Sequence, residues 1–293
     1  MDLKTEFERY GFEKVCDHIY QDPEKNLPIV MHFVDTMSHG TFSKYRQLAW
    51  DAIEDPHSTY HEYINHIIKD IDPEIAKHIA ANIVVNAGFN GTKVRDELKR
   101  TYYYPVPWMM RIKHQDLLTT ETYVSDGEKF AIYIYCIEGI ETNQDLEDFK
   151  CLTKNHPDSV FLLFTDGHIL TADFMSHVIR SRNILFVLTS DDQERIAFLK
   201  QYKAAFGIKC DHHRDELFNH YIEEGVYFVW FRSDSKASFE FLKHYRLRKS
   251  LFIIDEKYDI DLLDDPHDDI ETLIKNGRVD FMRKRELETE TNE

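Results

Sequence analysis

The chain has 293 residues, 42% of them hydrophobic and 13% aromatic, and its 36 basic and 53 acidic residues give a formal net charge of -17. That length and apolar content suit one large or two modest folded domains and exclude wholesale disorder. The acidic balance repels nucleic-acid backbone and anionic membrane, so neither is expected as a partner.

The first residues are polar, and no apolar run is long enough to cross a bilayer. The 4 cysteines, Cys16, Cys136, Cys151 and Cys210, contain no Cys-x-x-Cys pair. Free thiols in a cytoplasmic setting are therefore expected, rather than disulfides or a cysteine zinc site.

Residues 1–104 read as a helical domain. Apolar residues recur at helical spacing over 7–19, Asp22-Pro23 interrupts them, and the pattern resumes over 28–37. Residues 43–51 and 60–69 are further candidates. Asp72-Pro73-Glu74 opens another helix, with Asp72 as cap, Pro73 at the first position and Glu74 complementing the dipole. Gly88 is its expected stop, and 92–102 forms one more helix.

After Pro105 and Pro107 the period changes. Short apolar strands are expected at 108–112, 130–137, 160–165, 184–189, 205–210 and 226–231, with 251–254 as a further candidate. Helices are expected around 146–155, 171–180, 191–202, 213–224 and 235–245. Apolar strands alternating with helices predict a parallel sheet buried on both faces. The predicted class is α/β. The helical domain precedes a partial, shortened (β/α)6 barrel over 105–255, and 256–293 is an acidic tail. The run 262–269 reads as solvated turns.

Several segments together resemble radical S-adenosylmethionine (radical SAM) proteins with a helical N-terminal domain. They include Asp22-Pro23-Glu24-Lys25-Asn26-Leu27-Pro28, Asp70-Ile71-Asp72-Pro73-Glu74 and Val84-Val85-Asn86-Ala87-Gly88. Val106-Pro107-Trp108 leads into the first strand. Asn155-His156-Pro157-Asp158 precedes Phe161-Leu162-Leu163-Phe164-Thr165-Asp166-Gly167, which resembles the family's third strand and turn. Residues 206–208 and 225–231 are similar to its fifth and sixth strands. The resemblance covers most of 20–232.

The resemblance implies a Cys-x-x-x-Cys-x-x-Cys motif after the first strand, whose thiolates hold a [4Fe–4S] cluster. Residues 110–118 stand there and contain no cysteine. The next helix reads as shortened. The family's Gly-Gly-Glu turn, which contacts S-adenosylmethionine, is replaced by Glu138-Gly139-Ile140-Glu141. This chain is thus expected to be a degenerate relative with no cluster and no radical chemistry.

Ligands of such folds bind at the C-terminal strand ends. These offer Glu138, Gly139, Glu141, Asp166 and His168 as ligand-binding candidates. His114, Asp211, His212 and His213 are candidates for a mononuclear metal, since imidazoles and carboxylates suit zinc, manganese or iron(II). Solvated polar loops are the simpler account of that set. No catalytic residue is assigned. A Walker A loop, a dinucleotide fingerprint and a Gly-x-Ser-x-Gly elbow are all missing. The expected role is an inert regulatory or binding protein for a protein partner or a small ligand. The alternative is a repurposed enzyme using a His/Asp metal site.

Overall fold

The computed structural model describes residues 3–38, 50, 53–55, 57–102, 106–211, 215–233, 252–256 and 262–264. The helical region comprises α1 (Leu3–Ile19), α2 (Pro23–Ser38), α3 (Thr59–Asp70), α4 (Pro73–Ala81), a π-helix (Asn82–Asn90) and α5 (Gly91–Tyr102). Asp72 caps α4 as expected, its carboxylate accepting from the backbone N–H groups of Glu74 and Ile75.

Two expectations fail here. Proline does not delay α2, which starts at Pro23 and runs through Pro28. Leu27 and Val30 are buried on either side of Pro28, so packing holds the helix across the missing N–H. Gly88 does not end a helix either. It lies inside the π-helix, where it is buried. The wide turn has identifiable clamps. Arg95 donates to the carbonyls of Ala87 at 2.8 Å and Ala131 at 2.7 Å. Asn82 donates to the Pro157 carbonyl at 2.9 Å, and Asn86 to that of Asp158, also at 2.9 Å. The π-helix thereby ties the helical region to the turn before the third strand.

The sheet region follows as β1 (Met109–Lys113), α6 (Leu117–Lys129), β2 (Ile134–Glu138), α7 (Asn143–Asn155), β3 (Val160–Thr165) and α8 (Ala172–Ser181). It continues with β4 (Ile184–Leu188), α9 (Gln193–Gln201), β5 (Phe206–Cys210), α10 (Asp215–Glu223), β6 (Phe228–Phe231), β7 (Phe252–Asp255) and β8 (Leu262–Asp264). The eight strands among the described residues are all parallel, in the order β7-β6-β5-β4-β3-β2-β1-β8. The α/β class and the partial barrel are as expected, with one strand added at each edge of the six.

β8 pairs with β1, so the start of the run 262–269 is a strand and not a solvated turn. Three residues flanked by acids carry too little pattern to announce it. The helix after β1 is longer than the room expected for it before the next strand. Phe130 and Ala131 turn the chain, β2 starts only at Ile134, and α6 has room for 13 residues. The helix candidates at 43–51 and 235–245 fall wholly or largely outside the described residues.

The sheet curls strongly. β1 and β7 stand six places apart in the order. In a flat sheet that would separate them by roughly 30 Å. Instead the Arg111 guanidinium on β1 meets the Glu256 carboxylate just after β7 at 2.6 and 3.1 Å. Phe164 of β3 packs edge-on to Trp230 of β6, with ring centroids 5.2 Å apart. The inner face is thus filled by side chains from opposite strands, as in a barrel.

Burial also sorts the four cysteines, because Cys16, Cys136 and Cys210 are buried and Cys151 is exposed. Burial pushes the Cys16 thiol up to about 12. One thiol should therefore react quickly with a disulfide reagent in the native protein, and the other three only on unfolding. Two or more fast thiols would contradict that burial.

Candidate functional site

Parallel strands end on one side of a sheet, and the turns that follow them build the site. A cavity of about 520 Å³ opens over the ends of β2, β3, β4 and β5. Glu138 ends β2, and Gly139, Ile140 and Glu141 form its turn into α7. Phe164 and Thr165 end β3, Asp166, His168 and Ile169 follow it, and Thr189 and Lys209 complete the wall.

Local hydrogen bonding shapes both turns. Gly139 and Gly167 have φ of 82° and 85°, a region that glycine enters without strain. A side chain at Gly167 would also press on Arg195, whose Cγ lies 3.0 Å from the Cβ position. The Thr165 hydroxyl accepts from the Gly167 N–H at 3.0 Å, and Asp166 accepts from the His168 N–H at 2.9 Å. Arg195 on α9 lies 3.3 Å from His168 Nδ1. Asp145 accepts from the Glu141 and Thr142 N–H groups, closing a capping box at α7. Burial opposes charge on Asp145, but those backbone bonds outweigh it and hold the carboxyl below its usual range.

The walls carry charge of both signs. Glu138 is half-buried with Oε1 at 3.4 Å from Arg111 Nε, and Arg111 is already committed to Glu256. Glu141 and Asp166 are exposed, and Lys209 faces them from β5. Such a cleft suits a small molecule that carries an ammonium or sulfonium and a carboxylate.

All five sequence-predicted ligand candidates, Glu138, Gly139, Glu141, Asp166 and His168, line this one cavity. Of the metal candidates, only His114 and Asp211 fall among the described residues. Asp211 is exposed, and His212 and His213 lie outside the described residues. His114 is buried at the end of β1 and turned toward α6 and α7. Its Nδ1 shares a 3.0 Å hydrogen bond with Thr120, and its Nε2 lies 3.7 Å from Asp148 and 3.9 Å from Asp145. Among the described residues no three His, Cys, Asp or Glu side chains are grouped to hold a metal ion.

Lys209 and the two threonines were missed from sequence. Lys209 did leave a signal: a lysine in an otherwise apolar buried strand must aim its ammonium at a polar cavity or at solvent.

A [4Fe–4S] cluster does not fit these residues. The β1–α6 connection supplies His114, Gln115 and Asp116 where thiolates are needed, and Asp116 is engaged as the cap of α6, accepting from Thr119 N–H at 2.9 Å. Of the other thiols, Cys136 is buried within β2 and Cys151 is exposed on α7.

The chain matches no protein-family model and no curated protein. Solved structures similar to it include Streptococcus suis SuiB bound to S-adenosylmethionine, at a TM-score of 0.44 and 11% identity, covering 58% of this chain and 52% of that one. The 2-keto-3-deoxy-6-phosphogluconate aldolase of Zymomonas mobilis ZM4 with 3-phosphoglycerate is similar at 0.41 and 14% identity, covering 64% of this chain and 96% of the aldolase. A 4-hydroxy-2-oxoglutarate aldolase from TTHB1 follows at 0.38 and 11%, covering 50% and 71%. The chain spans about half the length of SuiB. Likeness at this level assigns no activity.

Proposed function

We propose that this chain is a radical-SAM-like protein without cluster chemistry, and that it works by holding a small zwitterionic ligand at its strand ends. One observation carries the reading: the cavity that gathers Glu138, Glu141, Asp166 and Lys209 over β2 to β5 sits beside a β1–α6 connection with no thiol. The carboxylates receive the ligand's ammonium or sulfonium, Lys209 receives its carboxylate, and the Thr165 and Thr189 hydroxyls orient it. Ligand occupancy then reports to a partner, a regulatory role that needs no bond-making step.

Calorimetric titration with S-adenosylmethionine, S-adenosylhomocysteine and free lysine tests this. At least one should bind saturably at one site per chain. Asp166→Asn should weaken that binding roughly tenfold, the loss of one charged hydrogen bond, with thermal stability unchanged. The reduced protein under anaerobic conditions should form no 5′-deoxyadenosine from S-adenosylmethionine. No saturable binding, or binding indifferent to Asp166→Asn, would sink the ligand reading. Formation of 5′-deoxyadenosine would sink the cluster-free one.

A further inference from the structure

A second cavity of about 520 Å³ lies away from the strand ends, where α7 and α8 finish beside α4. It is lined by Lys154, Arg180, Arg182, His78 and His177, with Thr153, Pro157 and Ser181 completing the wall. In a chain of net charge -17 this is a local reversal of sign.

Cations at helix C-termini have an ordinary use, since they offset the dipole's negative end. Magnitudes decide whether that suffices. Each of the two helix ends presents about half a negative charge. The carboxylate nearest the cations is Glu74, 3.2 Å from Arg182. The other acids nearby serve other cations: Asp158 pairs with Arg9, and Glu147 and Asp173 pair with Lys150. Lys154 has no carboxylate partner among the described residues. Three cations thus face about two units of negative charge, and the remainder points into an open cavity.

The imidazoles register the same field. Burial first, and then the charge of Arg9, hold His78 down at about 4, neutral at physiological pH. Burial, Lys150 and Arg180 lower His177. Arg9 Nη2 lies 2.9 Å from His78 Nδ1 behind the cavity wall, with its own charge answered by Asp158 and Glu13.

We propose that this cleft is a binding site for the phosphate group of a small phosphorylated molecule, held by Lys154, Arg180 and Arg182. Guanidinium forks and an ammonium converging from two helix ends suit a dianion with three equivalent oxygens. The site joins α4 of the helical region to α7 and α8 of the sheet region, so phosphate would brace the contact that Glu74 and Arg182 already make. This site is independent of the strand-end cleft and stands or falls separately.

The experiment is calorimetric titration of the full chain with inorganic phosphate at physiological ionic strength, with sulfate and chloride as controls. Lys154→Gln and Arg180→Gln leave the Glu74–Arg182 contact intact. The wild type should show one saturable phosphate site, weakened roughly tenfold by either substitution. No saturable heat, or affinity unchanged in both variants, overturns the proposal. A second readout needs no variant. Phosphate should raise the titration midpoints of the His78 and His177 rings in NMR spectra, because an anion offsets the cations that depress them. Ring signals indifferent to phosphate would overturn the proposal equally.

Discussion

Glu256→Gln should destabilise the protein by about 3 kcal/mol, because it removes the buried carboxylate charge that takes two hydrogen bonds from the Arg111 guanidinium. Side-chain exposure is 12% at Arg111 and 4% at Glu256. The carboxylate takes two Arg111 hydrogen bonds and the Trp230 indole N–H at 2.8 Å. Glu138, 3.4 Å from Arg111 Nε, softens the loss but is itself half-buried. Removing both ends of the pair is the informative control. Arg111→Met with Glu256→Leu should recover part of the loss, since an apolar pair of similar volume carries no charge desolvation cost while the Trp230 N–H is left without its acceptor. Chemical denaturation of the parent and the two variants measures this, and a Glu256→Gln protein as stable as the parent would show that the pair does not hold the curl.

The same pair sets a pH dependence. Burial would raise the Glu256 carboxyl, but the Arg111 hydrogen bonds and charge, the Trp230 N–H and Arg232 outweigh it and lower it below its ordinary 4.5. A carboxyl lowered by folding contributes stability that is complete above 4.5 and is lost as pH falls through the lower folded value. Acid unfolding of the wild type should therefore steepen below that pH, and Glu256→Gln should flatten that part of the curve.

The strands were readable because a parallel sheet covered on both faces needs continuous apolar runs, and residues 160–164 and 184–188 supply them without a break. The strand-end site followed from topology, since the turn after each parallel strand is fixed once the strand is placed. That logic put Glu138, Gly139, Glu141, Asp166 and His168 in one cavity. It could not set side-chain direction, and His114 turns into a buried contact with Thr120. The edges of the sheet were hidden. β8 has three residues, and its place beside β1 depends on pairing with a segment some 150 positions earlier, as the register Met109↔Leu262 shows. The π-helix was hidden as well, because its wide turn is held by Arg95 and the turn at 157–159, contacts no local pattern encodes. The basic cleft is spread over three helices, and each cation alone reads as an ordinary helix-end residue.

Gly207→Ala should cost about 3 kcal/mol, at the upper end for one added methyl in a packed interior. Gly207 pairs with Phe228 between β5 and β6. A Cβ at Gly207 would sit 2.5 Å from two ring carbons of Phe228 and 2.5 Å from its backbone oxygen. The ring could in principle turn aside, although Phe228 is buried. The backbone oxygen cannot move unless β6 moves with it. Gly207→Ala combined with Phe228→Leu separates the two contributions: relief of the ring contact should restore only part of the stability, and the residue is the strand displacement. Lys209 lies two positions along β5 on the same face, so the displacement also shifts the ammonium that lines the strand-end cleft. Ligand binding there should weaken in Gly207→Ala even where the protein is still folded, while phosphate binding between α7 and α8, on other elements, should not change. Full stability and full ligand affinity in Gly207→Ala would mean that β6 slides from β5 without cost, and the cleft would then not depend on the spacing of these two strands.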